Sequence, residues 1–517
     1  MEISVGRRII ITITVVLCSL LELIDTSIIN VAVNDISGNL GATITESSWV
    51  ISAYGIANVI IVPMAGWLSL KFGRKNYFGA SVIIFTLASV LCGMSTNIWT
   101  LVFFRFVQGV GGGALLATSQ TILVESYPKK LIGLANAMFG MGVILGPTLG
   151  PTLGGYIVDN LNWRWIFYVN LPVGIIAIFL VFAFIQNSEH EERAEKSSVD
   201  WLGIFLLILG IGSLQFVLEK GQEDDWFSSQ TIILFSIAAV VGIIAFIVRQ
   251  LTTKHPIVNI RILANRTLAT GTALSFVLGF ALFASVFIYP LLVQRFLGYT
   301  ATITGLSLLP GALLSGLMMP FVGVALSKGL SPKFLVPVGF FLLFVFCYLC
   351  YTSITPVSGR DTFYWPLMFR GMGLGLLFVP LTNLALGDLK GNDIAQGAGI
   401  TSMMRQLGGA FSVAICSTYV NIASQKHRVQ LLQYLTPDNP LAQERINNTI
   451  RNYQSKGFAQ NIATSMSYKA IDFSIYKQAN YMAYMDTFLW LGVFCLICIP
   501  LIFIAKTTHS TGVTVAH

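Results

Sequence analysis

Charge is what this chain has least of. Only 10% of its 517 residues are Asp, Glu, Lys or Arg, against about 25% in soluble domains. Hydrophobic residues make up 55% and the mean hydropathy is +0.75. That deficit excludes a soluble enzyme and leaves a polytopic membrane protein. The net charge of +8 does not revive a nucleic-acid-binding reading, because the cations fall in short loops between apolar spans. Histidine is scarce too: His190, His255, His427, His509 and His517 are the only five, and all lie outside those spans. Any proton relay within the membrane must therefore use carboxylates. There is no G-x-x-x-x-G-K-[ST] stretch, which argues against ATP-driven pumping, and no helix-borne His/Glu metal set or nucleophile triad, so neither a cofactor nor a metal is expected. The seven cysteines all sit in apolar spans. Two pairs have C-x-x-C spacing, Cys347/Cys350 and Cys495/Cys498, but neither has flanking His or acidic ligands. They read as small apolar filler.

What is abundant is apolar sequence in lengths of roughly 20 residues, enough to cross a bilayer. Fourteen spans are expected, at 9–33, 47–67, 76–94, 99–123, 133–157, 164–186, 201–219, 229–250, 268–294, 303–326, 334–352, 363–386, 397–423 and 484–505. The first follows Arg7 and Arg8 but is too long for a cleaved signal. With the N-terminus inside, the inner segments carry Arg7, Arg8, Lys71, Arg74, Lys75, Lys129, Lys130, Arg193, Lys196, Arg249, Lys254, Arg261, Arg266, Lys328, Lys333, Lys390 and Lys506. The short outer loops carry only Arg164, Lys220, Arg295 and Arg360. This asymmetry puts both termini in the cytoplasm. Residues 424–483 form a long polar outer segment, expected to hold one amphipathic helix around Ile446, Ile450 and Tyr453. It reads either as a solvated cap or as a docking surface for a periplasmic partner.

The chain repeats itself. RFVQGVGGGALL from Arg105 is echoed by RGMGLGLLFVPL from Arg370, and the glycine-rich fifth span by GAGITSMMRQLGGAF from Gly397. Spans 1–6 thus correspond to spans 9–14, with two spans inserted. The expected architecture is an all-α membrane protein: a six-helix bundle over 1–186, a linker with two inserted helices over 187–267, and a second six-helix bundle over 268–517. Such repeats place a substrate cavity at their interface.

Three sets of residues carry the chemistry. Glu22 and Asp25 in span 1 are the only carboxylates well inside the membrane, and their spacing puts them on one helix face. Asp25 lies about 24 Å from the inner face and Arg105 about 9 Å from the outer one, at 1.5 Å per residue. In a core about 30 Å thick those depths nearly coincide, so Arg105 is expected beside the acids, tuning their protonation. Gln108, one turn on, is a cavity candidate with Asn30, Asn58 and Phe276. Arg370 and Arg405 read as carbonyl-binding or loop-anchoring. In the fifth span Gly142, Gly146, Gly150 and Gly154 recur every four residues, with Pro147 and Pro151 between them and Gly155 next to the last. Four-residue spacing makes a bare stripe on a bent helix, expected to form a moving seam against the other bundle near span 9 or 10. The loop after span 2 holds Gly66, Gly73, Arg74 and Lys75, a cytoplasmic gating latch whose cations would reach acids or helix ends of the other bundle.

These segments together resemble the major facilitator superfamily, in particular its fourteen-span drug:proton antiporters of the EmrB and QacA type, over nearly the whole chain. The resemblance rests on LIDTSIINVAV (Leu23–Val33), GWLSLKFGRK (Gly66–Lys75), RFVQGVGGG (Arg105–Gly113), GPTLGPTLGGYI (Gly146–Ile157), WRWIFYVNLPVG (Trp163–Gly174) and MMRQLGGAF (Met403–Phe411). It departs from the family pattern at Leu70, where an acid usually precedes the loop cations. The resemblance implies that Asp25 is the embedded acid, that Arg105 is the relay arginine and that the span 5 glycines form the antiporter motif. It also implies proton-driven efflux of amphipathic compounds from cytoplasm or lipid. The outer segment fits the EmrB-like branch, which works with a periplasmic adaptor and an outer-membrane channel. The same fold could instead serve one endogenous metabolite, siderophore or lipid.

Overall fold

A computed structural model describes residues 4–128, 131–187, 199–356 and 358–504. Lys129, Lys130, Arg193, Lys196 and Lys506, counted in the charge asymmetry, and His190, His509 and His517 lie outside the described residues. Fourteen helices among the described residues are long and apolar enough to cross a membrane, one for each expected span. They are α1 (Val5–Leu40), α2 (Ile44–Phe72), α3 (Arg74–Gly93), α4 (Ile98–Ser126), α5 (Ile132–Asn160), α6 (Trp165–Phe184), α7 (Trp201–Lys220), α8 (Gln230–Thr252), α9 (Arg266–Arg295), α10 (Ala301–Ser327), α11 (Pro332–Ser353), α12 (Arg360–Leu386), α13 (Asn392–Leu432) and, after the non-spanning α14 (Pro440–Ser455), α15 (Gln460–Ile497).

Local chemistry sets the boundaries. Helix starts leave backbone N–H groups unpaired, and side chains supply acceptors at the polar edges. Thr43 and Glu46 form a reciprocal capping box on α2 (3.2 and 2.8 Å). Asn97 caps α4 through Thr100 N (2.8 Å), and Thr300 caps α10 through Ile303 N (3.2 Å). Gly41 closes α1 in the left-handed region at φ 61°, which only glycine adopts cheaply. Inside the spans, buried hydroxyls donate to the carbonyl four residues back, as Ser19 does to Val15 and Thr121 to Ala117. The polar group then costs little in lipid.

Helices α1–α6 pack on one another, as do α9–α13 with α15; α7 and α8 form an inserted pair packed chiefly on each other and on α2 and α13. The insertion is joined by a glycine crossing, Gly210 in a π-helical turn of α7 against Gly242 of α8. The two bundles meet along α5–α10 and α2–α13, the pairing that a two-fold repeat requires. Fourteen crossings bring the start of α1 and the end of α15 to one side, the terminal side.

Residues 424–483 are more helical than expected. Helix α13 continues to Leu432 and α15 begins at Gln460, so both run well past their apolar stretches. Arg428 pairs with Asp472 (2.6 Å) and His427 with Asp486 (2.7 Å), joining the two helices. The expected amphipathic helix is α14, and it packs on α15, where Ser467 Oγ donates to Ile446 O (3.2 Å).

Candidate functional site

Asp25 is fully buried in the middle of α1 and accepts hydrogen bonds at both oxygens. Arg105 Nη1 donates to Oδ2 (2.6 Å), while Gln108 Nε2 (2.9 Å) and Asn170 Nδ2 (2.7 Å) donate to Oδ1. The donors come from α4 and α6, so three helices meet at one carboxylate. Arg105 is itself 1% exposed. Its Nε donates to Val50 O (3.1 Å) and its Nη1 also reaches Gln108 Oε1 (2.9 Å). Its guanidinium lies 4.2 Å from the Tyr54 ring centroid. Every short contact here is charge-assisted, the stronger class of hydrogen bond.

Glu22, one turn earlier, stands apart from this pair. Its Oε1 accepts from Asn58 Nδ2 of α2 (2.9 Å), and its Oε2 is buried with no partner. The middle of α1 thus holds one carboxylate with donors at both oxygens and one with an open oxygen. Asn170 is a member that sequence reasoning passed over, although it lies within the Trp163–Gly174 segment. An amide inside an apolar span was the available signal.

The structure reassigns two cavity candidates. Gln108 is 0% exposed and belongs to the Asp25 network, and Asn58 is held by Glu22, so neither amide is free for substrate. Asn30 is exposed on the outer half of α1, and Phe276 is half-buried edge-on to Phe411 with centroids 5.7 Å apart.

The glycine ladder also lies elsewhere than expected. A Cβ on Gly142 would meet Val16 (3.3 Å), on Gly146 Leu23 Cβ (2.5 Å), on Gly150 Ser27 Cβ (2.8 Å) and on Gly154 Ile28 O (3.0 Å). All four partners are on α1, within the same bundle. The stripe seats the helix that carries Asp25; it is not the seam between bundles. Pro147 and Pro151 are buried within a continuous α5. The seam uses the other face of α5: Gly133 against Gly323, Gly140 against Phe378 and Met319, and Gly155 against Ala301. Span 10 is therefore the partner of α5, but not of its ladder. The four-residue spacing defined a stripe without saying which neighbour it faced.

The latch is corrected likewise. Arg74 is buried and makes a two-pronged ion pair with Glu125, at the end of α4 in its own bundle. The acid missing at Leu70 is thus supplied from another helix. Gly73 sits at φ 81°, and Lys75 N donates to Asn187 Oδ1 (3.0 Å). Gly66 touches the other bundle, where a Cβ would lie 2.8 Å from Ala395 O. That contact, Gly133–Gly323 and the hydrogen bond from Asn136 to Asn383 join the bundles on the terminal side.

The second bundle repeats the arginine without the acid. Arg370, at the repeat position of Arg105, is 1% exposed and donates from Nε to Ser285 Oγ of α9 (2.8 Å). Arg405 of α13 makes neither the carbonyl contact nor the loop anchor expected of it. Its guanidinium lies over the Phe378 ring, 4.9 Å from the centroid. All seven cysteines are free and buried.

Residues 15–413 match the family model described as Major Facilitator Superfamily. The chain is 33% identical to the multidrug export protein EmrB of Escherichia coli K12, over 98% of this chain and 97% of that one. It is also 33% identical to the fatty acid resistance protein FarB of Neisseria gonorrhoeae, over 97% of each. Among solved structures, the proton:xylose symporter XylE superposes with a TM-score of 0.58 at 14% identity, over 97% of this chain and 99% of that one, a likeness of fold alone.

Proposed function

The chain belongs to the major facilitator superfamily, and from that premise we propose that it is a multidrug efflux transporter, exporting amphipathic and lipophilic compounds across the bacterial inner membrane in exchange for protons. Whole-length similarity to EmrB supports the efflux reading. One observation carries the coupling: the buried Glu22 has an open Oε2 one helical turn from an Asp25 whose oxygens are all occupied. A proton can bind at that oxygen without meeting a donor, whereas both oxygens of Asp25 already face donors, Arg105 at Oδ2 and Gln108 and Asn170 at Oδ1. Glu22 is then the loading group and Asp25–Arg105 the element that responds to its charge.

The closed terminal side is the cytoplasmic side, by the charge asymmetry of the loops. A proton arriving from outside neutralises Glu22, and the bundles at 1–186 and 268–517 rock so that the contacts at Gly66, Gly133 and Asn136 part. Substrate binding from the cytoplasm or inner leaflet accompanies proton release. The helices α13–α15 that extend beyond the opposite face support docking of a periplasmic adaptor leading to an outer-membrane channel. FarB, equally similar, keeps open a narrower reading as a dedicated exporter of one lipid-like compound. The test is uptake of a cationic dye into inverted vesicles under an imposed pH gradient. Glu22→Gln and Asp25→Asn should each abolish gradient-driven accumulation while the protein remains folded; undiminished accumulation in both sinks the coupling.

A further inference from the structure

The ionisable groups buried in the two bundles do not balance. The first holds Glu22, Asp25 and Arg105, besides the Arg74 already paired with Glu125; the second holds Arg370 and Arg405, and no carboxylate among the described residues pairs with either. Arg370 at least has Ser285. Arg405 is 8% exposed, its Nε is buried without a partner, and the described residues give its guanidinium no hydrogen bond or ion pair, only the Phe378 ring. An unpaired cation at this depth is expensive in a membrane protein. Arg405 is 13 residues along α13 from Asn392, which puts it about 20 Å from that end, near mid-membrane.

A second donor stands across the bundle interface. Gln120 of α4 is 0% exposed; its Oε1 accepts from Ser402 Oγ at 3.5 Å, and its Nε2 is buried with no acceptor. Ser402 is one turn before Arg405 on the same helix face, so its contact with Gln120 places the amide on the side of α13 that carries Arg405. Guanidinium and amide N–H groups can only donate, and what they lack is an acceptor. The nearby surface is apolar and adaptable: Met403, Met404 and Phe276 are half-buried against the cluster containing Ile400 and Leu407. Methionine accommodates varied shapes.

We propose that Arg405 and Gln120 form an anion-binding subsite between the bundles, taking the carboxylate head of an amphipathic organic acid whose apolar body lies on the Met403–Phe276 surface. The carboxylate accepts from Arg405 and from Gln120 Nε2, completing in the second bundle the charge pairing that Asp25 gives Arg105 in the first. The subsite rests on the transporter reading and names a substrate class for it.

The test uses full-length protein in nanodiscs and two probes, a dansyl-labelled undecanoic acid and its methyl ester, titrated by fluorescence. The wild-type protein should bind the acid about tenfold or more tightly than the ester, the scale of one or two charge-assisted hydrogen bonds. Arg405→Gln and Gln120→Leu should each bring the acid-to-ester ratio down several-fold. Arg405→Lys, which keeps the charge but loses the planar fork, should give an intermediate ratio. Thermal unfolding of each variant checks that it is folded, and Gln120→Leu and Arg405→Lys carry the test if Arg405→Gln is not. Equal binding of acid and ester by the wild type, no binding of the acid, or a ratio unchanged in the folded variants overturns the subsite. Export of the cationic dye by wild-type vesicles is read separately, so failure of the anion subsite and failure of the efflux function are distinguishable.

Discussion

Gly150→Ala should damage transport far more than Gly142→Ala, although both add one methyl to the same stripe of α5. At Gly142 the new Cβ stands 3.3 Å from the end of Val16 and 3.7 Å from Leu20, so a small side-chain adjustment absorbs it. At Gly150 it lands on the Ser27 side chain, 2.8 Å from Ser27 Cβ and 2.9 Å from Ile28 N, and backbone has to move. Restoring ordinary contact at Ile28 needs a displacement of about 0.5 Å, and overpacking of this kind costs about 1–3 kcal/mol. Asp25 is one turn from Ile28. Carried to it, that displacement stretches the 2.7 Å contact with Asn170 to about 3.2 Å, the limit of a good N–H···O bond. The assay is thermal unfolding of each variant in detergent beside pH-driven dye accumulation. Gly142→Ala should stay near wild type in both, while Gly150→Ala should be destabilised and lose about tenfold or more of its rate, equivalent to about 1.4 kcal/mol. Ser27→Gly removes two of the clashing atoms, so in a double-mutant cycle it should recover part of the loss. Equal effects at the two glycines would refute the argument that the ladder acts by seating α1.

Other expectations follow from contacts already described. Asn170→Leu keeps the branched shape but takes one donor from Asp25, which should cost about 1.5–3 kcal/mol as a hydrogen bond to a charged group; transport should fall about tenfold or more, and an unchanged pH-rate profile would exclude Asn170 from the coupling network. Arg74→Ala and Glu125→Ala should be non-additive by about 0.5–3 kcal/mol in unfolding experiments; additivity would mean that the ion pair does not hold the loop. Gly66→Ala should disfavour the state closed on the terminal side, because its Cβ meets the Ala395 backbone. Spin labels placed across that side should show a longer mean distance, and an unaltered distribution would remove Gly66 from the gate.

The fold was legible because lipid imposes it: each span needs about 20 apolar residues with its backbone bonded internally, and a chain with so few charges can show little else. The pairing of Asp25 with Arg105 was legible from depth along two oppositely running helices. Glu22 was not separable from Asp25 by the same means, since a three-residue step gives a shared face and says nothing of which neighbour each acid meets. Asn170 and Glu125 complete their pairs from helices distant in sequence, and no local spacing encodes that. The ladder on α5 failed for a related reason: close packing was readable, but α5 packs closely on two sides, and glycines serve both. Residues 424–483 looked like a loop because they are polar, yet polarity marks only where the membrane ends, not where the helices do.

The overrun of α15 has a mechanical consequence. From Gln460 to the start of its apolar stretch at Tyr484 the helix covers 24 residues, a rigid arm of about 36 Å at 1.5 Å per residue. It is braced to α13 at Arg428–Asp472 and His427–Asp486. Each degree of tilt of the second bundle within the membrane sweeps the tip of such an arm by about 0.6 Å. The hairpin is a pointer fixed to a rocking body, and a rotation too small to resolve among packed helices becomes a displacement large enough to be followed, or felt by whatever rests on it, well outside the lipid.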